Sequence, residues 1–141
     1  MRKILEDVNL SNISISKDGK EILFQFNRLQ NDAARVEVVC SSVYVFNFHN
    51  VFEDEYDGLP CYVGEVRYGR ICGSDLCRKL KELNFGFRVE EDPVEPNSKK
   101  RMYIPGDRKA YFLHMEGGEV DIDIICGEVT INSDFWGEKE F

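Results

Sequence analysis

The sequence predicts a mainly β protein of the α+β class. It should be an antiparallel sheet or bent sandwich of two hairpin-plus-long-strand units, with one packed α-helix at residues 74–84. Three observations predict this. Residues 36–45 (VEVVCSSVYV) and 122–131 (IDIICGEVTI) repeat one pattern: apolar, acidic, two apolar, Cys, two small or polar residues, Val. Two stretches of alternating apolar residues flank glycine-containing turns, the signature of hairpins. One stretch alone has helical spacing, Leu76, Leu80 and Leu83.

The first hairpin pairs residues 12–16 with 22–26 about Lys17-Asp18-Gly19-Lys20. Asp-Gly suits a two-residue type I′ turn. Pairing Lys17 with Lys20 sets Ile15 against Ile22 and Ile13 against Phe24, so one face is apolar. Residues 27–34 read as a polar connection. The first repeat copy follows and continues through Tyr44, Phe46 and Phe48 with apolar residues on both faces, as in a central strand covered on both sides. Residues 59–71, rich in Tyr and Val, read as another strand, with Gly64 and Gly69 as bends. Ser74 is the expected N-cap of the helix, which Asn84 and Gly86 can end.

The closing hairpin turns at Gly117-Gly118. Pairing Glu116 with Glu119 places Met115 opposite Val120, Leu113 opposite Ile122, His114 opposite Asp121 and Phe112 opposite Asp123. In both repeat copies the apolar parity changes, between Val38 and Val39 and between Ile124 and Ile125, and a bulge beside Gly127 would account for the second change.

The 141 residues fit a single domain, 1–141, able to bury a core unaided. No window approaches the roughly 20 apolar residues of a membrane span, and the amino-terminal residues lack an apolar signal region, so a cytoplasmic location is expected. Five cysteines without ligand spacing favour neither a disulfide framework nor a zinc site, and no metal or cofactor is expected. The net charge of −8 disfavours nucleic acid and anionic membranes and favours a basic protein partner. Oligomeric state is left open.

Two acidic stretches carry the binding expectation. Glu53, Asp54, Glu55, Tyr56 and Asp57 form one; Glu90, Glu91, Asp92 and Glu95 form the other, within a proline-containing loop. Acidic patches with an embedded aromatic suit rapid docking of a basic surface. An alternative polar site is His114 with Asp121 and Asp123, where carboxylates could orient an imidazole or hold a cation. No nucleophile, phosphate loop or dinucleotide fingerprint accompanies it, so no catalytic residue is assigned and a non-enzymatic role is expected.

The closing stretch, residues 111–116 through 122–126, resembles the ends of small acidic bacterial immunity proteins that accompany polymorphic and contact-dependent toxins. The resemblance implies an inhibitor that covers a basic, nuclease-like toxin; it carries no site residues. The alternatives are a small-ligand or carbohydrate-binding β domain using Tyr62, Tyr68 or Trp136, an assembly subunit using an edge strand, and an enzyme built on His114, Asp121 and Asp123.

Overall fold

The structure, a computed structural model, describes residues 3–29, 31–83, 88–89, 103–104, 110–132 and 137–138, with backbone alone at 31–34, 77, 81, 88–89, 103–104 and 137–138. Its strands are β1 (Lys3–Ile15), β2 (Glu21–Arg28), β3 (Asn31–Asn50), β4 (Cys61–Ile71), β5 (Arg88–Val89), β6 (Tyr103–Ile104), β7 (Ala110–Glu116), β8 (Val120–Ile131) and β9 (Gly137–Glu138). The helix α1 spans Gly73–Glu82. The strand-rich antiparallel class and, among the described residues, the single packed helix are as the sequence predicts.

The sheet is not a sandwich. It runs β2-β3-β8-β7-β4-β1, and β1 also pairs with β2, so six strands close into a barrel. Val8, Asn9 and Leu10 make the closure, pairing with β2 on one side and β4 on the other. Closure gives each barrel strand two neighbours over the paired length, so the edge strand that assembly would need is largely consumed. The short β9 adds to β1 at Lys3 and Ile4, and β5 and β6 form a separate parallel pair.

Phe24, Phe26, Leu10, Ile22, Leu113, Met115, Ile122 and Ile124 fill the barrel. Phe24 meets Phe46 edge-on at 6.2 Å and 83°, an arrangement that adds to the burial of both rings. Outside, Leu76 and Leu80 of α1 pack on Val45, Ala110 and Ile125. The middle of β3 and of β8 is thus covered on both faces, as the doubled apolar pattern requires.

The repeat copies lie side by side as β3 and β8. Cys40 sits opposite Val129, and Cys126 opposite Val43, so equivalent positions exchange across the seam. The two strands relate as by a local twofold. The parity change falls later than the sequence suggests. Ile125 is apolar because it faces α1, not because the strand turns over there. The change falls at Gly127 in β8 and at Ser42, with φ of 53°, in β3, where a register shift between Val43 and Val45 then turns Phe46 and Phe48 back to the core.

Other expectations shift as well. β1 begins at Lys3 rather than Asn12, because a left-handed Asp7 (φ 52°) and a register break between Leu10 and Asn12 interrupt the alternation. Most of residues 27–34 is ladder: Asn27 pairs with Arg35 and Arg28 with Asn31. Ile15 faces Ile22 as expected, but only Gly19 of the Asp18-Gly19 pair has positive φ. Asp18 instead accepts hydrogen bonds from the Ser16 hydroxyl and the Lys20 amide.

The closing hairpin is two residues out of the expected register. Leu113 faces Ile124, His114 faces Asp123, and Phe112 faces Ile125. The amide of Gly117 donates to the Val120 carbonyl, so Gly118 and Glu119 make the turn. Ser74 lies inside the helix rather than capping it; the Cys72 carbonyl accepts from the Leu76 amide. Asn84, Gly86, Trp136 and the acidic stretch Glu90, Glu91, Asp92 and Glu95 lie outside the described residues.

Candidate functional site: an acidic barrel face and its loop

The barrel's outward residues on neighbouring strands form two polar rows. One runs Arg67 on β4, His114 on β7, Asp123 on β8 and Asn47 on β3. The next runs Glu6 on β1, Glu65 on β4, Glu116 on β7, Asp121 on β8 and His49 on β3. Four carboxylates therefore stand in register on four adjacent strands. Like charges directly opposite one another destabilise a sheet, so this row costs stability in isolation.

Residues 51–60 connect β3 to β4 at the same end. Their start is tied to the β7–β8 turn, where the Val51 amide donates to the Glu119 carbonyl at 2.9 Å. Their exit is pressed against that turn too: a Cβ on Gly117 would collide with the Tyr62 carbonyl oxygen. The start of the loop and its exit thus both flank the hairpin tip.

The loop carboxylates divide by role. Asp57 Oδ2 accepts from the amides of Glu53 and Asp54, each at 2.9 Å, and Asp54 Oδ1 accepts from the Tyr56 amide. Asp54 and Asp57 therefore hold the loop's shape, which sequence reasoning missed when it treated all four charges alike. Glu53 and Glu55 are exposed, and Tyr56 is 87% exposed. Among the described residues the exposed large hydrophobics include Val51, Tyr56, Leu59 and Tyr62, all in this loop or at its exit. The Tyr62 hydroxyl donates to Asp7 Oδ1 at 2.5 Å, which raises the phenol's pKa and fixes the ring on the outer surface.

Within the rows, His114 Nδ1 lies 2.9 Å from Asp123 Oδ1 and 3.8 Å from Asp121 Oδ1. Lys79 of α1 approaches Asp123 Oδ1 at 3.3 Å. The Asp123 hydrogen bond raises the His114 pKa, against its partial burial and the Lys79 charge. Burial works against the Asp123 carboxylate, but the His114 bond and charge together with Lys79 outweigh it and lower its pKa. The alternative polar site is therefore a real cluster, with the carboxylate partner changed from Asp121 to Asp123 by the hairpin register. Ligand atoms of His114, Asp121 and Asp123 all lie within 4.8 Å of one another. His49, which has no visible partner in the sequence, is brought opposite Asp121 by the β3–β8 pairing.

The proposed aromatic platforms do not converge. Tyr62 is on the outer surface, while Tyr68 stacks on Tyr111 at 5.8 Å against the barrel core. An open cavity of about 440 Å³ beside the β1–β2 turn is lined by Ser16, Lys17, Asp18, Lys20, Glu21, Ser41 and Ser42, with no aromatic side chain. Among the described residues no helix is long and apolar enough to cross a membrane.

A protein-family model described only as "-like" matches residues 3–133. The chain belongs to that family. A crystal structure of an uncharacterized protein from Neisseria gonorrhoeae is similar in fold, with a TM-score of 0.56 at 14% identity, covering 94% of this chain and 98% of that one. Family membership and this likeness extend over nearly the whole barrel. No curated protein matches the chain.

Proposed function

We propose that this is a non-catalytic binding protein whose acidic barrel face and loop dock a basic protein surface, in the manner of an immunity-type inhibitor that covers a nuclease-like toxin. The observation that carries the reading is the register-aligned row Glu6, Glu65, Glu116 and Asp121, together with the acidic loop 51–60 tied to the β7–β8 turn and its exposed Val51, Tyr56, Leu59 and, at its exit, Tyr62. Aligned carboxylates repel one another until a cationic surface neutralises them. Exposed aromatic and aliphatic groups beside them offer the desolvated anchors that charge alone lacks. Arg67 pairs with Glu65 at 2.7 Å, and His114 lies 3.8 Å from Asp121 and 3.9 Å from Glu116.

The toxin-inhibitor part of the reading rests on the resemblance of the closing stretch and on the net charge of −8. The test is capture of partners by the tagged full chain from cells that produce it, at low and moderate salt, beside a Glu53→Lys/Glu55→Lys variant and a His114→Ala variant. Retention of one basic protein by the wild type and by His114→Ala, but not by the charge-reversed loop, supports the proposal. Retention of no protein, or equal retention by all three, overturns it.

A further inference from the structure

We propose that His114, Asp121 and Asp123, joined by His49, bind a divalent first-row transition-metal ion of the Zn²⁺ class on the outer face of β3, β8 and β7. Both histidines of the chain stand in adjoining places around the same two aspartates, although 65 residues of sequence separate them. The donor set decides the class of ion. Mixed imidazole and carboxylate ligands suit Zn²⁺ and its neighbours, whereas Ca²⁺ and Mg²⁺ take oxygen alone.

The spacing fits. Two ligand atoms at about 2.1 Å from a tetrahedral ion lie about 3.4 Å apart. The His114 Nδ1 separations of 2.9 Å from Asp123 and 3.8 Å from Asp121 bracket that value, so small side-chain rotations would make the site. His49 is directly opposite Asp121, and cross-strand Cβ atoms lie about 5 Å apart. His49 is not among the ligand atoms already within 4.8 Å of one another, so its ring must turn toward Asp121 to serve as a fourth ligand. Asp123 is 15% exposed and His114 26%, while Asp121 is 58% exposed and leaves an open approach.

With Nδ1 on the ion, the His114 Nε2 carries the proton; the nearest carboxylate oxygen, Glu116 Oε2 at 3.9 Å, lies beyond hydrogen-bond distance and must turn in to orient the ring. Lys79 at 3.3 Å from Asp123 is the opposing feature. Its ammonium occupies the carboxylate without metal and must yield when an ion enters, so Lys79 sets the affinity by competition.

The experiment is titration of the chelator-treated full chain with Zn²⁺ alone by calorimetry, repeated with Co²⁺ by visible absorption. All arms carry Cys72→Ser and Cys77→Ser to remove competing thiols. One equivalent should bind, with imidazole and carboxylate ligation in the Co²⁺ spectrum. Asp121→Asn and His49→Gln, both at exposed positions, should each weaken binding at least tenfold, and Lys79→Met should tighten it severalfold. Circular dichroism checks that each variant is folded. Absence of stoichiometric binding, or binding unchanged in both Asp121→Asn and His49→Gln, would overturn the site. Partner capture is a separate readout, so either proposal can fail alone.

Discussion

His114 Nδ1 and Asp123 Oδ1 stand 2.9 Å apart across the β7–β8 ladder, and Lys79 of α1 reaches the same oxygen at 3.3 Å. One carboxylate therefore joins two strands and fastens the helix to the barrel's outer wall.

That arrangement fixes a pH dependence for the metal-free protein. The raised His114 pKa means that its contribution is full below the ordinary value of 6.5 and is lost as pH rises through the folded-state value. The lowered Asp123 pKa means a contribution present above 3.8 and lost as pH falls through its folded-state value. The pair should thus stabilise most between those limits. Urea unfolding with chelator present should show His114→Gln costing about 1 kcal/mol at pH 5.5 and less at pH 8.5. A cost that grows with pH would contradict the assignment.

Gly117 and Gly118 should respond oppositely to the same change. A methyl group on Gly117 meets the Tyr62 carbonyl, whereas one on Gly118 meets nothing within 4 Å. Gly117→Ala should cost about 1–3 kcal/mol in thermal unfolding, and Gly118→Ala almost nothing. Because the clash sits where the acidic loop enters β4, Gly117→Ala should also weaken partner binding.

Thiol reactivity should sort by place in the barrel. Cys40, Cys61 and Cys126 are buried and Cys72 is exposed. A hydrogen bond with Cys126 and burial push the Cys40 thiol well above its usual range, and burial pushes Cys61 up to about 11. At pH 8 roughly a thousandth of Cys61 is then thiolate. In a Cys77→Ser background, aromatic disulfide labelling of the native chain should modify Cys72 alone, with the other three appearing only in denaturant. Early loss of Cys40 or Cys126 would mean that the barrel opens.

What the sequence discloses follows from what repeats locally. The strands around Ile13, Phe24, Leu113 and Ile122 alternate cleanly, and each is found as a strand. Closure into a barrel is not written in any one strand, since it depends on Val8, Asn9 and Leu10 finding two partners at once. Asp7 and Ser42 adopt left-handed backbone without being glycine, so the breaks they make leave no residue-type signal. At the site, the exposed acids of the loop were legible from charge alone. The row from Glu6 to Asp121 was not, because its members come from four strands and align only through register. The place of His49 opposite Asp121 is hidden for the same reason, and Asp123 replaces Asp121 as the closest partner of His114 because a hairpin slipped by two residues keeps the same face.

The most direct test of the docking account is the association rate of the retained partner with the purified chain, followed as ionic strength is raised. Electrostatic docking predicts a rate that falls steeply with salt, and a Glu53→Lys/Glu55→Lys variant slowed about tenfold at low salt with a flattened salt dependence. Dissociation should change less in that variant than in Tyr56→Ala, which removes an anchor rather than a charge. An association rate indifferent to both salt and charge reversal would contradict the acidic face as the docking surface.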